Sequence, residues 1–328
     1  MKSICYIVLY FGKLPNSLPC WIDSCALNDT VNWILYTDDK TKYDYPTNVS
    51  VYYTTFKEMV ETIQNKFDFP ICIDTPYRLC DYKVSYGYIF EDELKEFDYW
   101  GYCDLDMIFG DIRSFITDEI TTNFDKIGFL GHSTLYKNNS RMNRMFMCDV
   151  EGNSIYKRIF STPGNVNQYF DEKWMNLICE RNGVKCYQET IFADIIPWAW
   201  KFRIGYVTGQ NKLLNEHRIF LKEGKKLFSY AINQNHEISV DEFMYIHFLK
   251  RSMKYSIKKN CSRFLIIPNR CKKYEKQLSK FTIYYYSINN MVLYWLDIIL
   301  RKWKKISFKN VINYFKIRMK AQRNYYSE

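Results

Sequence analysis

Residues 4–12 read ICYIVLYFG and residues 32–39 read NWILYTDD. Each is a short run of β-branched, aliphatic and aromatic residues closed by turn-forming residues, the pattern of a strand buried on both faces. Residues 49–54, VSVYYT, form a third run of this kind. A short helix fits 18–27 between the first two, and FKEMVETIQNK at 56–66 fits another after the third. Strands alternating with helices predict an α/β unit built on a mostly parallel sheet. Such sheets bind ligands beyond the carboxyl ends of their strands. Gly12, Asp38 and Asp39 fall at those ends.

Further along, YRLCDYKVSYGYIFEDELKE at 77–96 has a broad apolar helical face. An apolar strand is expected at 98–103 and another at 126–135, with Gly131-His132 near its middle. Short helices fit 141–147 and 155–160, a longer one 171–182, and strands 200–208 and 216–221. Residues 239–253 fit two descriptions. Ser239 with Glu242 suits a helix capping box, whereas VDEFMYIHFL has strand character.

The chain has 328 residues, 47% of them hydrophobic, enough for a sizeable core and one large domain with or without an appendage. Only 8 prolines and 12 glycines argue against long disordered stretches. Eleven scattered cysteines, an odd number with no C-x-x-C pair, read as reduced thiols of a cytoplasmic protein. The apolar start is too short for a signal peptide and reads as a first strand. The most apolar long stretch, 283–300, is interrupted by Ser287, Asn289, Asn290 and Asp297, which argues against a spanning helix.

The net charge of +10 is uneven. Residues 250–328 hold 20 Lys and Arg against three acids, while the preceding residues hold 26 against 33. A boundary near Ile267-Pro268 is expected, dividing a domain at 1–267 from a basic, aromatic, helical tail at 268–328. Basic residues interleaved with Trp, Tyr, Phe and Ile over 283–323 suit an anionic membrane surface. Packing on the body is the second reading, and nucleic acid the least favoured.

The chemistry concentrates in YWGYCDLDMIFGDI at 99–112. Residues i and i+2 of a strand face the same way, so Asp104 and Asp106 should project together at a strand end. Paired carboxylates in an apolar setting need compensation, and oxygen ligands suit Mg²⁺ or Mn²⁺, which can bridge a diphosphate. The alternative is a pair of solvated loop aspartates. His247, in FMYIHFLKR, could add a nitrogen ligand and Lys250 a diphosphate contact; the alternative is a core histidine followed by surface charge. His132 could hydrogen-bond a sugar or sit in a turn. Lys83 could reach a donor or be an exposed helical lysine. Asp171 fits the start of a helix, where acids meet the dipole favourably, and could also act as a base.

Taken together, FGKLP, WILYTDD, the 77–96 segment, YWGYCDLDMIFGDI, LGHSTLYKN and YIHFLKR resemble metal-dependent GT-A glycosyltransferases. They are similar to a bacterial group of glycosyltransferase-like proteins from capsule and surface-polysaccharide gene clusters. The resemblance covers roughly residues 4–252 and is most specific over 77–113. It implies a GT-A-like, Rossmann-like sheet flanked by helices. Tyr10, Phe11 and Gly12 would line a nucleotide pocket, and Asp38 and Asp39 would meet base or ribose. Lys83 and Asp81 would contact the donor. Asp104 would hold ribose or metal, Asp106 and His247 the metal, and Lys250 the diphosphate. No catalytic base is implied securely; Asp171 and Asp194 are candidates. The expected activity is sugar transfer from a nucleotide sugar, foremost a UDP-sugar, to a glycan or lipid-linked acceptor at the inner face of the cell membrane. The rivals are a non-catalytic carbohydrate- or membrane-binding assembly protein and an Asp-x-Asp phosphotransferase.

Overall fold

A computed structural model describes residues 1–196, 202–205, 214–233, 235–249, 251, 253–257 and 261–287. The three opening strands form as expected: β1 (Ile4–Tyr10), β2 (Val31–Thr37) and β3 (Val49–Tyr53). They run parallel, and β4 (Tyr99–Cys103) adds in parallel on the other side of β1. The period of two decides which way each side chain faces. Cys5, Ile7, Ile34, Tyr36, Trp100 and Tyr102 enter one core; Ile4, Tyr6, Val8, Trp33, Leu35 and Tyr99 enter the other. Both faces of the sheet are therefore covered, which accounts for the nearly unbroken apolar runs.

After β4 the chain makes the short strand β5 (Met107–Phe109), then β6 (Lys126–Leu130) and β7 (Ser133–Lys137). The single strand expected over 126–135 is thus a hairpin, with Gly131 and His132 in its turn. β7 pairs antiparallel with β4, and β8 (Cys186–Tyr187) closes a mixed sheet in the order β3-β2-β1-β4-β7-β6-β8. Helices flank it. α1 (Leu18–Ala26) and α2 (Phe56–Gln64) lie where expected, and Thr55 with Glu58 forms a reciprocal capping box at the start of α2. The helical segment over 77–96 is broken into a 3₁₀ helix Pro76–Ser85 and two short turns, Tyr86–Ile89 and Glu91–Leu94. The helix expected over 171–182 begins as a π-helical turn, Phe170–Trp174, and continues as Met175–Arg181.

The remaining strands are β9 (Phe192–Asp194), β10 (Phe202–Ile204), β11 (Leu214–Glu223), β12 (Lys226–Ile232), β13 (Ile238–Glu242), β14 (Tyr245–His247), β15 (Lys254–Ser256), β16 (Arg263–Ile267) and β17 (Arg270–Lys273). They make a second seven-stranded sheet, mostly antiparallel, ordered β13-β12-β11-β16-β17-β15 with β10 on β11. Strand character wins over 239–253: Ser239 pairs opposite Ala231 and Glu242 opposite Phe228, so no helix is capped there. A third sheet, β5-β14-β9, is small and central. The fold is accordingly a mixed α/β architecture of several mixed sheets flanked by helices, less parallel than the sequence led us to expect.

The boundary expected at 267/268 falls inside the β16–β17 hairpin, where Ile267 pairs with Arg270. The compact unit continues to Ser287. Its last helix, Lys280–Ser287, buries Ile283 against Ile219, Leu221, Leu265 and Ile267. Among the described residues no helix is long and apolar enough to cross a membrane. All eleven cysteines are free.

Asn28 ties α1 to the end of β5. Its amide nitrogen donates to Ser24 O and Gly110 O, and its Oδ1 accepts from Ile112 N, each at 2.9 Å. Asn28→Ala leaves the Ile112 N–H and the Gly110 carbonyl without their partner in a buried setting. The expected cost is about 2 kcal/mol or more, read as a thermal midpoint lowered by several degrees.

Candidate functional site

The carboxyl ends of β1 and β4 open onto a cavity of about 640 Å³. Tyr10 and Phe11 from the end of β1, Lys83 and Tyr86 from the helical segment, and Asp104 and Asp106 from the β4–β5 link all line it. The link has three residues, and its middle one, Leu105, is buried while Asp104 and Asp106 keep access to the cavity. The i, i+2 relation therefore persists although the pair lies just beyond the strand.

His247 joins them through the small central sheet. β14 pairs antiparallel with β5, His247 opposite Met107, and parallel with β9, His247 opposite Asp194. One imidazole is thereby set between three carboxylates. Its Nε2 lies 3.3 Å from Asp106 Oδ1 and 3.7 Å from Asp104 Oδ2, and its Nδ1 donates to Asp194 Oδ1 at 2.7 Å. Burial works against the charged ring, but hydrogen bonds and charge from Asp106 and Asp194 prevail and hold it up to about 10. Lys83 supplies the second cation. Its Nζ donates to Asp104 Oδ1 and to Gly131 O, both at 2.7 Å, and sits 5.4 Å from the centre of the Tyr102 ring. Burial again opposes the charge, and Asp104 foremost overcomes it, so the ammonium is retained.

Asp104, Asp106 and His247 bring one donor atom each within 4.8 Å of one another. Two carboxylate oxygens and an imidazole nitrogen form a donor set suited to Mn²⁺ or Mg²⁺. Asp194 makes the fit better. By accepting a hydrogen bond from Nδ1 it leaves Nε2 facing the carboxylates, the arrangement commonly seen behind metal-ligating histidines. Asp194 thus supports His247.

Other expected residues lie around this centre. Asp38 Oδ1 accepts from Gly12 N at 2.7 Å and Asp39 Oδ2 from Leu14 N at 2.9 Å, so both carboxylates organise the loop after β1. Asp81 is fully buried. It forms an ion pair with Arg78 and accepts from Gln168 N and Phe170 N, so it braces the segment before Asp171 instead of lining the cavity. His132 is buried beneath His247, with ring centres 4.5 Å apart, and its Nδ1 is hydrogen-bonded to Tyr245 Oη at 2.9 Å. Burial first, then the charges of His247 and Lys83, keep His132 neutral. Lys250 lies outside the described residues.

Sequence reading missed Arg251, Met253 and Tyr255, which line the cavity beside Leu249, and Tyr77, which lines it near Lys83. Tyr77 opens the 77–96 segment and Arg251 closes YIHFLKR, but neither carries an expected role; the pairing of β14 with β5 and β9 brings Leu249 and Arg251 to this place.

A profile of a family of unknown function, DUF6625, matches residues 6–275. The chain belongs to this family. The match spans every residue of the centre, from Tyr10 through Asp104 and Asp106 to His247, together with the second sheet. No curated protein matches the chain.

Asp171 sits behind the centre. A Cβ placed on Gly131 would lie 2.3 Å from Asp171 Oδ2, so only glycine lets that carboxyl pack against the carbonyl-bearing turn that holds Lys83. Asp171 is buried, and its Oδ1 has no hydrogen-bond partner among the described residues. Desolvation outweighs the attraction of Lys83 and raises its pKa to about 7. A carboxyl raised above its unfolded value contributes stability that is complete at low pH and lost as pH climbs through 7. Asp171→Asn is neutral at every pH. It should melt higher than wild type at pH 8, by on the order of a few kcal/mol, with the gap closing toward pH 5. Parallel melting curves for the two proteins across that range would refute the buried, raised carboxyl.

Proposed function

We propose that this protein is a metal-dependent glycosyltransferase of GT-A type that uses a nucleotide-sugar donor, foremost a UDP-sugar. The reading rests on one observation above the others. Asp104, Asp106 and His247 converge with Lys83 at the carboxyl ends of the parallel strands of a mixed sheet, on the wall of a cavity of about 640 Å³. That position is where open α/β sheets bind nucleotides, and the volume falls in the range of small-molecule sites. The β3-β2-β1-β4 arrangement followed by an antiparallel β7 supports a GT-A-like frame.

Asp104, Asp106 and His247 would hold Mn²⁺ or Mg²⁺, whose chemistry would be neutralisation of charge on a departing nucleoside diphosphate. The chain's own residues have separate tasks. Lys83 holds Asp104 in place and adds positive charge to the cavity wall. Tyr10 and Phe11 offer aromatic surface to a base. Asp194 orients His247. Asp171, buried behind Gly131, and Asp194, committed to His247, are both poor choices for a base acting on an acceptor hydroxyl. The acceptor would be a surface-polysaccharide or lipid-linked glycan, and the free cysteines agree with a reducing cytoplasmic setting.

Calorimetry of UDP with and without Mn²⁺ tests the proposal. Wild type should bind UDP only with the metal. Asp106→Ala and His247→Ala should abolish that metal-dependent binding, and Asp194→Asn should weaken metal affinity by about 10- to 100-fold. Failure of UDP, GDP, CDP and dTDP alike to bind with Mn²⁺ would overturn it, as would release of phosphate from simple esters without nucleotide binding.

A further inference from the structure

A second donor set lies behind the first. His132, Asp194 and His247 bring one ligand atom each within 4.8 Å of one another, as Asp104, Asp106 and His247 do on the cavity side. His247 belongs to both sets because its two ring nitrogens serve different neighbours. Nε2 lies toward Asp104 and Asp106, and Nδ1 donates to Asp194.

His132 Nε2 turns this proximity into a site. The residue is 5% exposed, and its Nε2 is buried with no hydrogen-bond partner among the described residues. The other nitrogen is engaged: Nδ1 is hydrogen-bonded to Tyr245 Oη at 2.9 Å. The ring is held among Phe192, Tyr245 and His247. A buried polar atom left unpaired is costly, and a cation shared with Asp194 and His247 would remove that cost.

The chemistry of this inner set differs from that of the outer one. Two imidazoles and one carboxylate replace one imidazole and two carboxylates. Nitrogen donors move the preference from Mg²⁺ and Mn²⁺ toward Zn²⁺, which in its open sites takes three protein ligands and a water. Tyr245 fills the outer-shell role behind His132, fixing the ring through its far nitrogen. The donors would draw together by about an ångström to meet Zn²⁺ bonds of about 2.0–2.2 Å. His247 also lines the cavity, which gives an ion a way in from solvent.

We propose that His132, Asp194 and His247 form a Zn²⁺ site distinct from the outer cation site and exclusive of it. A neutral imidazole offers one lone pair. With Nε2 on the outer cation, Nδ1 keeps its proton and donates to Asp194. With Nδ1 on Zn²⁺, that proton leaves to solvent, Nε2 keeps the remaining proton, and the outer set loses its nitrogen donor. The exclusion rests on the outer cation site read above; the Zn²⁺ site itself does not.

Calorimetry of the full chain without nucleotide, titrating Zn²⁺ and Mn²⁺ separately, tests the proposal. Co²⁺ absorption is recorded in parallel, because the eleven free cysteines could also take up metal. Wild type should bind Zn²⁺, and its Co²⁺ form should show visible bands without a thiolate charge-transfer band. His132→Asn keeps an amide for Tyr245 near the Nδ1 position and deletes Nε2. It should lose about 100-fold or more in Zn²⁺ affinity and bind Mn²⁺ like wild type. Tyr245→Phe, a milder change, should weaken Zn²⁺ by about tenfold. Bound Zn²⁺ should also suppress Mn²⁺ binding in wild type. Zn²⁺ binding that survives both substitutions, a thiolate band accounting for the bound metal, no Zn²⁺ binding at all, or both cations bound together would each overturn the proposal. If wild type failed to bind Mn²⁺ while Zn²⁺ binding fell in His132→Asn as expected, the Zn²⁺ site would be supported and the proposed reaction would fall.

Discussion

The buried imidazole of His247 is the point on which the site depends. Three carboxylates, Asp104, Asp106 and Asp194, lie around one ring that is 3% exposed. Carboxylates this close repel one another and are costly away from water unless positive charge or a metal compensates them. His247 and Lys83 provide the compensation in the chain itself. The cluster is therefore balanced enough to fold, yet its oxygen and nitrogen donors converge as a cation would require.

The fold meets that constraint by division of labour. The large sheet carries Asp104 and Asp106 at the end of β4 and brings Lys83 over Tyr102. The small sheet, β5-β14-β9, brings His247 and Asp194 from far along the chain into register with Met107. The second large sheet follows β9, encloses β14 and shares a core with the small sheet: Ile108, Ala193 and Ile246 pack with Phe220, Leu227 and Ile266. Its contribution to function is indirect. Without it, the Ile246 face of β14 would lose its apolar backing, while Tyr245 packs against Phe109 and Phe192 on the other side. That the family match runs from residue 6 to 275 agrees with both sheets forming one working unit.

A further layer lies behind the ligand-facing groups. The Gly131-His132 turn gives Lys83 a carbonyl acceptor and places His132 under His247. Asp171 presses on the same turn, and the Arg78–Asp81 pair fixes the backbone leading to Asp171. The polar residues of 78–83 are consequently split: Lys83 reaches the cavity, while Asp81 and Arg78 brace the frame.

Local pattern alone determined the first half of the architecture. The apolar runs at 4–11, 32–37 and 98–103 could bury both faces only as interior strands, and the intervening amphipathic stretches only as helices. The pairing of Asp104 with Asp106 followed from period-two geometry; the apolar neighbours of His247 fitted a core histidine equally, and its place beside the aspartates was implied by the resemblance. Tertiary structure decided the rest. The 126–135 run bends into a hairpin because Gly131 and His132 take a turn, a choice its apolar composition does not reveal. Ser239 and Glu242 satisfy a capping pattern, yet pairing with β12 overrides it. Asp194 became the partner of His247 across 53 positions, and Asp81, ion-paired locally with Arg78, was tied into the frame by Gln168 N, 87 positions away. Helical and strand periodicity report which face of a segment is apolar; they hold no information on which distant segment covers that face, and it is that cover which assigns each buried charge its partner.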